Sequence, residues 1–316
     1  MNRRGLIELV ATVLVAAVFA LALMRGDSPS AGFPAAAADS AAETVRPDPV
    51  KQAQDAFAGD GLPAGAPIMV HMGDSYAAGA GVTPLVEDSP FTCQRSQRNF
   101  GELLARQQRW HLTDVSCSGA RTADLERAQY EGVPPQLDAL NSQVKYVTMT
   151  LGGNDSNVFS TVVGDCPDLG RTNRTGSPCR TALRTKLTKA LQKRTLPDLT
   201  NALREVRKRA PNATVFVVGY PWIMPGSGGC YAATSIASDD VPFVHDLQRR
   251  LNAVVEEAAG AAGAEFVDMS DRSEGHDACT STKKRWVEPL TDGPGSMHPN
   301  AAGQQAMAAA VAAELK

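Results

Sequence analysis

The chain has 316 residues, 43% of them hydrophobic and 21% charged, an ordinary globular composition that allows one sizeable domain plus extras. A net charge of -3 and an aromatic content of 5% remove the electrostatic and stacking grounds for a nucleic-acid partner.

The chain opens with Arg3 and Arg4, then an apolar run from Leu9 to Met24 that Arg25 and Asp27 close. A basic start followed by an apolar core is the layout of a secretory signal. The run is long for a cleaved signal and short for a spanning helix of about 20 apolar residues, so an uncleaved signal anchor stays open beside cleavage after Ala22 or within 35–38. Residues 26–65 are rich in Ala, Pro, Ser and Asp and lack an apolar period, which predicts a flexible tether. The expected organisation is a signal peptide or anchor over 1–25, a linker over 26–65 and a folded domain over 66–316, lying outside the cytoplasm as a secreted or envelope-anchored protein. Any membrane attachment would run through the N-terminal segment, and the domain is expected to be monomeric.

From Pro67 onward short apolar runs alternate with helical patterns. Strands are expected at 67–72, 110–117, 144–152, 213–221 and 264–269, most clearly at 144–152, with Val and Thr in number and a glycine stop, and at 213–221, ended by Gly and Pro. Helices are expected at 100–108, 122–129, a basic stretch over 181–209 read as a solvated face, 242–262 and 300–315, the last capped by Asn300. The stretches 83–99 and 156–182 read as long inserted loops that set pocket depth. This alternation predicts an α/β domain with a parallel sheet covered on both faces. Six cysteines, Cys93, Cys117, Cys166, Cys179, Cys230 and Cys279, fit disulfides in an oxidising compartment. Sequential pairing is the simplest connectivity. Zinc is disfavoured because no C-x-x-C pair is present.

In open parallel sheets, sites form at the carboxyl ends of strands. The first strand ends in Gly73-Asp74-Ser75, the second runs into "SCSGART" with Gly119, and the third ends in "LGGNDSN" with Asn154. Near the C-terminus "DGPGSMHPNAAG" places His298 in a loop before the last helix. Serine needs a base to become a nucleophile, and histidine is the usual base at neutral pH. The oxyanion formed on attack needs aimed donors, which backbone N–H groups and an Asn amide supply. Asp74 and Asp155 are expected to brace their turns and His71 to pack in the core. His111, His245 and His276 have no pattern tying them to chemistry. Trp286 either lines the pocket or packs beside the final loop.

"MGDSYAAG", "CSGART", "LGGNDSNVF" and "MHPNAAGQ" together resemble blocks I, II, III and V of the SGNH (GDSL-type) hydrolase superfamily. "GYP" (219–221), "GHDAC" (275–279) and the six cysteines are similar to its secreted actinobacterial lipase/esterase branch. The resemblance implies a three-layer α/β/α flavodoxin-like fold with about five parallel strands. It also implies Ser75 as nucleophile, His298 as general base, an oxyanion hole from Ser75, Gly119 and Asn154, and neither metal nor organic cofactor. One departure matters: the family places an aspartate three residues before the histidine, and here that position is Gly295. Two arrangements follow, a Ser–His dyad with a backbone carbonyl near 295–296 holding the ring, or a loop that brings Asp292 back to it. The dyad is favoured. The expected function is an exported esterase or lipase acting on small-molecule or lipid esters through an acyl-serine. Deacylation or acyl transfer on a polysaccharide uses the same residues, and an inert binding module is the non-enzymatic alternative. The absence of G-x-S-x-G disfavours a classical α/β-hydrolase.

Overall fold

The computed structural model describes residues 62–291 and 293–315. The expected signal segment, nearly all of the expected linker and Asp292 lie outside the described residues. In chain order the elements are β1 (Ile68–Gly73), α1 (Ser75–Ala78), α2 (Phe100–Gln108), β2 (His111–Asp114), β3 (Tyr146–Thr150), α3 (Val158–Thr172) and α4 (Pro178–Ala190). There follow α5 (Leu196–Arg209), β4 (Thr214–Val218), α6 (Tyr231–Thr234), α7 (Val241–Ala262), β5 (Glu265–Val267), α8 (Ser270–Ser273) and α9 (Ala301–Glu314). Among the described residues no helix is long and apolar enough to cross a membrane.

The five strands pair in the order β2-β1-β3-β4-β5, every pair parallel. Every residue of β1 is buried, as a central strand covered on both faces requires. The chain moves one way from β1 to β2 through α2, and the other way from β3 to β5 through α5 and α7. Because parallel crossovers are right-handed, the two directions put their helices on opposite faces of the sheet. Accordingly α2 packs with α9, and α5 with α7. The strand order reverses between β1 and β3, and the crevice above that pair is where ligands bind in this architecture. Ser75 follows β1 and Asn154 follows β3.

Two buried polar side chains tie α1 to the elements around it. His71, fully buried in β1, bonds the Ala77 carbonyl through Nε2 at 2.9 Å and Thr148 Oγ1 through Nδ1 at 2.8 Å. A carbonyl only accepts, so Nε2 carries the proton; burial holds the ring pKa below its usual value and the imidazole stays neutral. Gln304 of α9 accepts from Phe100 N at 2.9 Å and donates to the Tyr76 carbonyl at 2.9 Å, so one side chain joins α9, α2 and α1. The Asn300 cap is present, accepting from Ala302 N and Gly303 N.

Three local expectations are corrected. Residues 122–129 form only a short 3-10 turn, Thr122–Leu125. The stretch 156–182 is not a loop: it holds α3 and the start of α4. The basic stretch 181–209 is two helices joined by a widened turn, Leu191–Thr195, in which Leu196 N reaches the Leu191 carbonyl. Pro197 explains the break, because it has no N–H to continue the ladder and is accommodated in the first turn of α5. The cysteines pair sequentially, Cys93–Cys117, Cys166–Cys179 and Cys230–Cys279.

Candidate active site

The turn after β1 is built around a carboxylate. Gly73 has φ +113°, and a Cβ there would lie 2.1 Å from the Thr150 carbonyl oxygen, so no side chain fits. Asp74 then caps α1, its Oδ1 accepting from Tyr76 N at 3.0 Å and Thr150 Oγ1 at 2.7 Å. Its Oδ2 accepts from the Tyr220 hydroxyl at 2.5 Å, and that hydroxyl oxygen accepts from Gly153 N at 2.9 Å. Burial lifts the Asp74 carboxyl to about 6, against the pull of these donors. The chain of bonds runs from the Ser75 turn through Tyr220 to the glycine preceding Asn154. Gln136 clamps Gly73 on both backbone groups, at 2.6 and 3.0 Å. Sequence patterns single out neither Gln136 nor Thr150; the only signal for Tyr220 is its place in "GYP" at the end of β4.

Ser75, 5% exposed, opens α1, and its Oγ lies 2.7 Å from His298 Nε2. His298 Nδ1 lies 2.6 Å from the Ser296 carbonyl. Since that carbonyl can only accept, the proton sits on Nδ1 and the Nε2 lone pair faces the serine hydroxyl. The preceding residue, Met297, is buried with φ +56°, a left-handed conformation that costs a non-glycine residue about 1 kcal/mol or more. Its carbonyl accepts from the Tyr76 hydroxyl at 2.7 Å, and the Tyr76 ring lies 5.1 Å from the imidazole. Ser75 and Tyr76 are neighbours in sequence, so one turn presents the hydroxyl and braces the histidine loop.

Burial lowers the His298 pKa to about 4, with the Ser296 carbonyl pulling upward. A base must be unprotonated to accept, so lowering the folded pKa extends its useful range toward acid. The kcat/KM for a soluble ester is therefore expected to stay flat on lowering the pH through 6.5, the usual histidine value, and to fall only nearer 4. A limb at 6.5 would contradict this placement. A limb at about 6 that disappears in Asp74→Asn would assign it to the neighbouring carboxyl instead.

The other two loops meet beside this pair. Cys117 N donates to the Gly73 carbonyl at 3.0 Å, which seats the Gly119 turn against the end of β1. Asn154 Nδ2 donates to the Ala120 carbonyl at 3.1 Å, and Asp155 Oδ1 accepts from Thr122 N and Oγ1 at 3.1 and 3.2 Å. The Asn154 side chain and the Gly119 turn thus lie side by side, and Asp74 and Asp155 brace their turns as expected.

A water-sized apolar slot of about 20 Å³ lies behind the Tyr76 and Phe159 rings that face His298, lined also by Tyr220, by Val158 and Val162 of α3, and by Val244, Leu247 and Leu251 of α7, among others. The Phe159 ring lies 5.4 Å from the His298 imidazole. Trp286 is not among the lining residues; it stacks on His276 at 4.0 Å and its carbonyl accepts from Asn300 N at 2.7 Å. It packs beside the final loop.

The model of the GDSL-like Lipase/Acylhydrolase family matches residues 71–306, from β1 through His298. The chain belongs to this family. Lipase 2 of Streptomyces coelicolor is 43% identical over 244 residues, covering 76% of this chain and 82% of that protein. A lipase of Streptomyces rimosus is 31% identical over 74% of this chain and 81% of its own. Among solved structures, phospholipase A1 from Streptomyces albidoflavus superposes with a TM-score of 0.68 at 27% identity, covering 79% of this chain and all of that one. An extracellular lipase from Streptomyces rimosus gives 0.66 at 26% identity with the same coverage. This GDSL hydrolase is a carboxylic ester hydrolase with the five-stranded parallel fold of its relatives.

Proposed function

We propose that the protein is an exported serine lipase or esterase that cleaves apolar-chain carboxylic esters through an acyl-serine intermediate. The observation that carries this reading is the pair of short bonds on His298, 2.7 Å to Ser75 Oγ and 2.6 Å to the Ser296 carbonyl. Nε2 takes the hydroxyl proton as Oγ adds to the ester carbonyl; the resulting imidazolium returns that proton to the leaving alcohol oxygen as the C–O bond breaks. Water then repeats the sequence on the acyl-serine, releasing the acid. The oxyanion is received by the N–H of Ser75, which as the first residue of α1 has no intrahelical acceptor, by the Gly119 N–H and by the Asn154 amide. The Ser296 carbonyl holds the tautomer that an aspartate holds in a triad, leaving Asp292 without a necessary role.

The relatives named lipase and phospholipase A1 support lipid esters as the class. Tyr76, Val158 and Phe159 give the apolar surface an acyl chain would meet, and the cavity of about 20 Å³ there must widen to admit one. Three disulfides and an N-terminal signal or anchor segment over 1–25, joined by a linker over 26–65, support work outside the cytoplasm by the domain over 66–316. The test is a series of p-nitrophenyl esters of increasing chain length. Turnover is expected with kcat/KM rising from acetate to medium chains, since each buried methylene adds about 0.8 kcal/mol, near fourfold. Preference for acetate over every longer chain would replace lipid esters by acetylated substrates such as polysaccharides.

A further inference from the structure

Between Leu169 and Pro197 the chain holds eight Lys and Arg residues and no Asp or Glu, although acids outnumber bases in the whole sequence, 34 to 31. Six of the eight, Arg180, Arg184, Lys186, Lys189, Lys193 and Arg194, lie exposed on α4 and the turn that follows it. Among the described residues none of the six forms a salt bridge. Ordinary solvated faces of this molecule mix signs: Glu102 pairs with Arg106 on α2, and Asp246 with Arg249 and Arg250 on α7. By contrast α4 sets Arg180 against Arg184 at the i,i+4 spacing where like charges destabilise a helix, and brings Lys186 and Lys189 together at i,i+3. Two of the nearby acids are already engaged, and among the described residues Asp165, Asp198 and Asp239 form no salt bridge with any of the six. Asp240 is buried and accepts from Cys179 N and Arg180 N at 2.8 Å each, and Asp168 pairs with Arg171. Such a face is complementary to a surface of fixed negative charge.

Its place in the fold selects the surface. The Cys166–Cys179 bridge ties α4 to α3, and α3 supplies Val158, Phe159 and Val162 to the apolar slot. We propose that α4 is an electrostatic docking face that seats the enzyme on anionic lipid headgroups, one helix away from the slot. The choice of lipid over another polyanion rests on the reading of apolar-chain esters as substrates. No large hydrophobic residue of α4 is exposed, so the contact is one of charge and not of insertion, and it weakens as salt is added.

The experiment is co-sedimentation of the full chain with vesicles of phosphatidylcholine alone or mixed with phosphatidylglycerol, comparing wild type with R184Q/K186Q/K189Q/K193Q. Each basic residue near an anionic surface strengthens binding about fivefold, so the variant is expected to lose at least about a hundredfold in partition onto the mixed vesicles. The wild-type preference should also collapse at high salt. Uptake on phosphatidylcholine alone, which registers the apolar N-terminal segment, should be equal in the two proteins. Hydrolysis of soluble p-nitrophenyl butyrate should be unchanged, because the four positions lie outside the active site. Equal partition of both proteins onto the mixed vesicles would overturn the proposal. So would binding to a soluble anionic polysaccharide that depends on the four residues while anionic vesicles are ignored. Partition is measured without turnover, so this proposal and the reading of the substrate fail separately.

Discussion

Ser75→Ala and His298→Ala each lower kcat on p-nitrophenyl esters by a factor on the order of 10⁴ to 10⁶, and the double variant is little worse than either. The non-additivity is expected because hydroxyl and imidazole act as one unit through the 2.7 Å bond between them. The residual rate comes from groups that still receive the oxyanion. Asp292→Ala belongs in the same experiment, since its effect separates dyad from triad. With Nδ1 already bonded to the Ser296 carbonyl at 2.6 Å, Asp292→Ala is expected to change kcat by no more than about threefold, far less than the 10⁴ seen when a working triad aspartate is replaced. A loss comparable to that of His298→Ala would reject the dyad.

Gly73→Ala is expected to destabilise the fold by about 4 kcal/mol or more and to abolish ester turnover with it. The added Cβ would sit 2.1 Å from the Thr150 carbonyl oxygen, a backbone atom that cannot swing aside, and φ +113° is forbidding to any side chain. Relief would have to separate β1 from β3, which pair directly at Gly73 and Thr150. Thermal denaturation reads the effect as a Tm drop of roughly 8 °C or more. Gly260→Ala is the control: it lies within α7, nothing stands within 4 Å of its added Cβ, and the change is expected to raise Tm slightly. A Gly73→Ala protein that melts like wild type would show that the turn tolerates a side chain and that Gly73 does not set the position of Ser75.

The strands were legible from their short apolar runs, clearest where Gly or Pro stops one, as at 144–152 and 213–221. Ser75, Gly119 and Asn154 were legible because they follow strands, and His298 because it sits in a Gly/Pro loop before the last helix. What local pattern misreads is punctuation whose cause is distant. The stretch "VVGDCPDLGRTN" reads as a loop through Gly164, Pro167 and Gly170, yet α3 runs through all three. Gly170 is a packing residue: a Cβ there would lie 2.1 Å from the Ser235 carbonyl oxygen, on a segment far along the chain. Pro197 misleads the other way, interrupting a row of leucines at four-residue steps, Leu183, Leu187, Leu191, Leu199 and Leu203, that periodicity alone would join. The bracing roles of Tyr220 and Gln136 were illegible, with "GYP" marking Tyr220 only by its place, because hydrogen bonds spanning 146 and 63 residues leave no periodic trace.

The serine and the histidine that face each other are 223 residues apart, at the two ends of the folded domain. A nascent chain emerging amino end first therefore carries its hydroxyl long before its base. On the proposed mechanism, catalytic competence arrives only with the last tenth of the polypeptide, which holds His298 and the Gln304 bonds that join α9 to α1 and α2. Until then an ester meeting the half-made protein meets an alcohol like any other. The order of the elements along the chain therefore delays ester hydrolysis until the domain is complete.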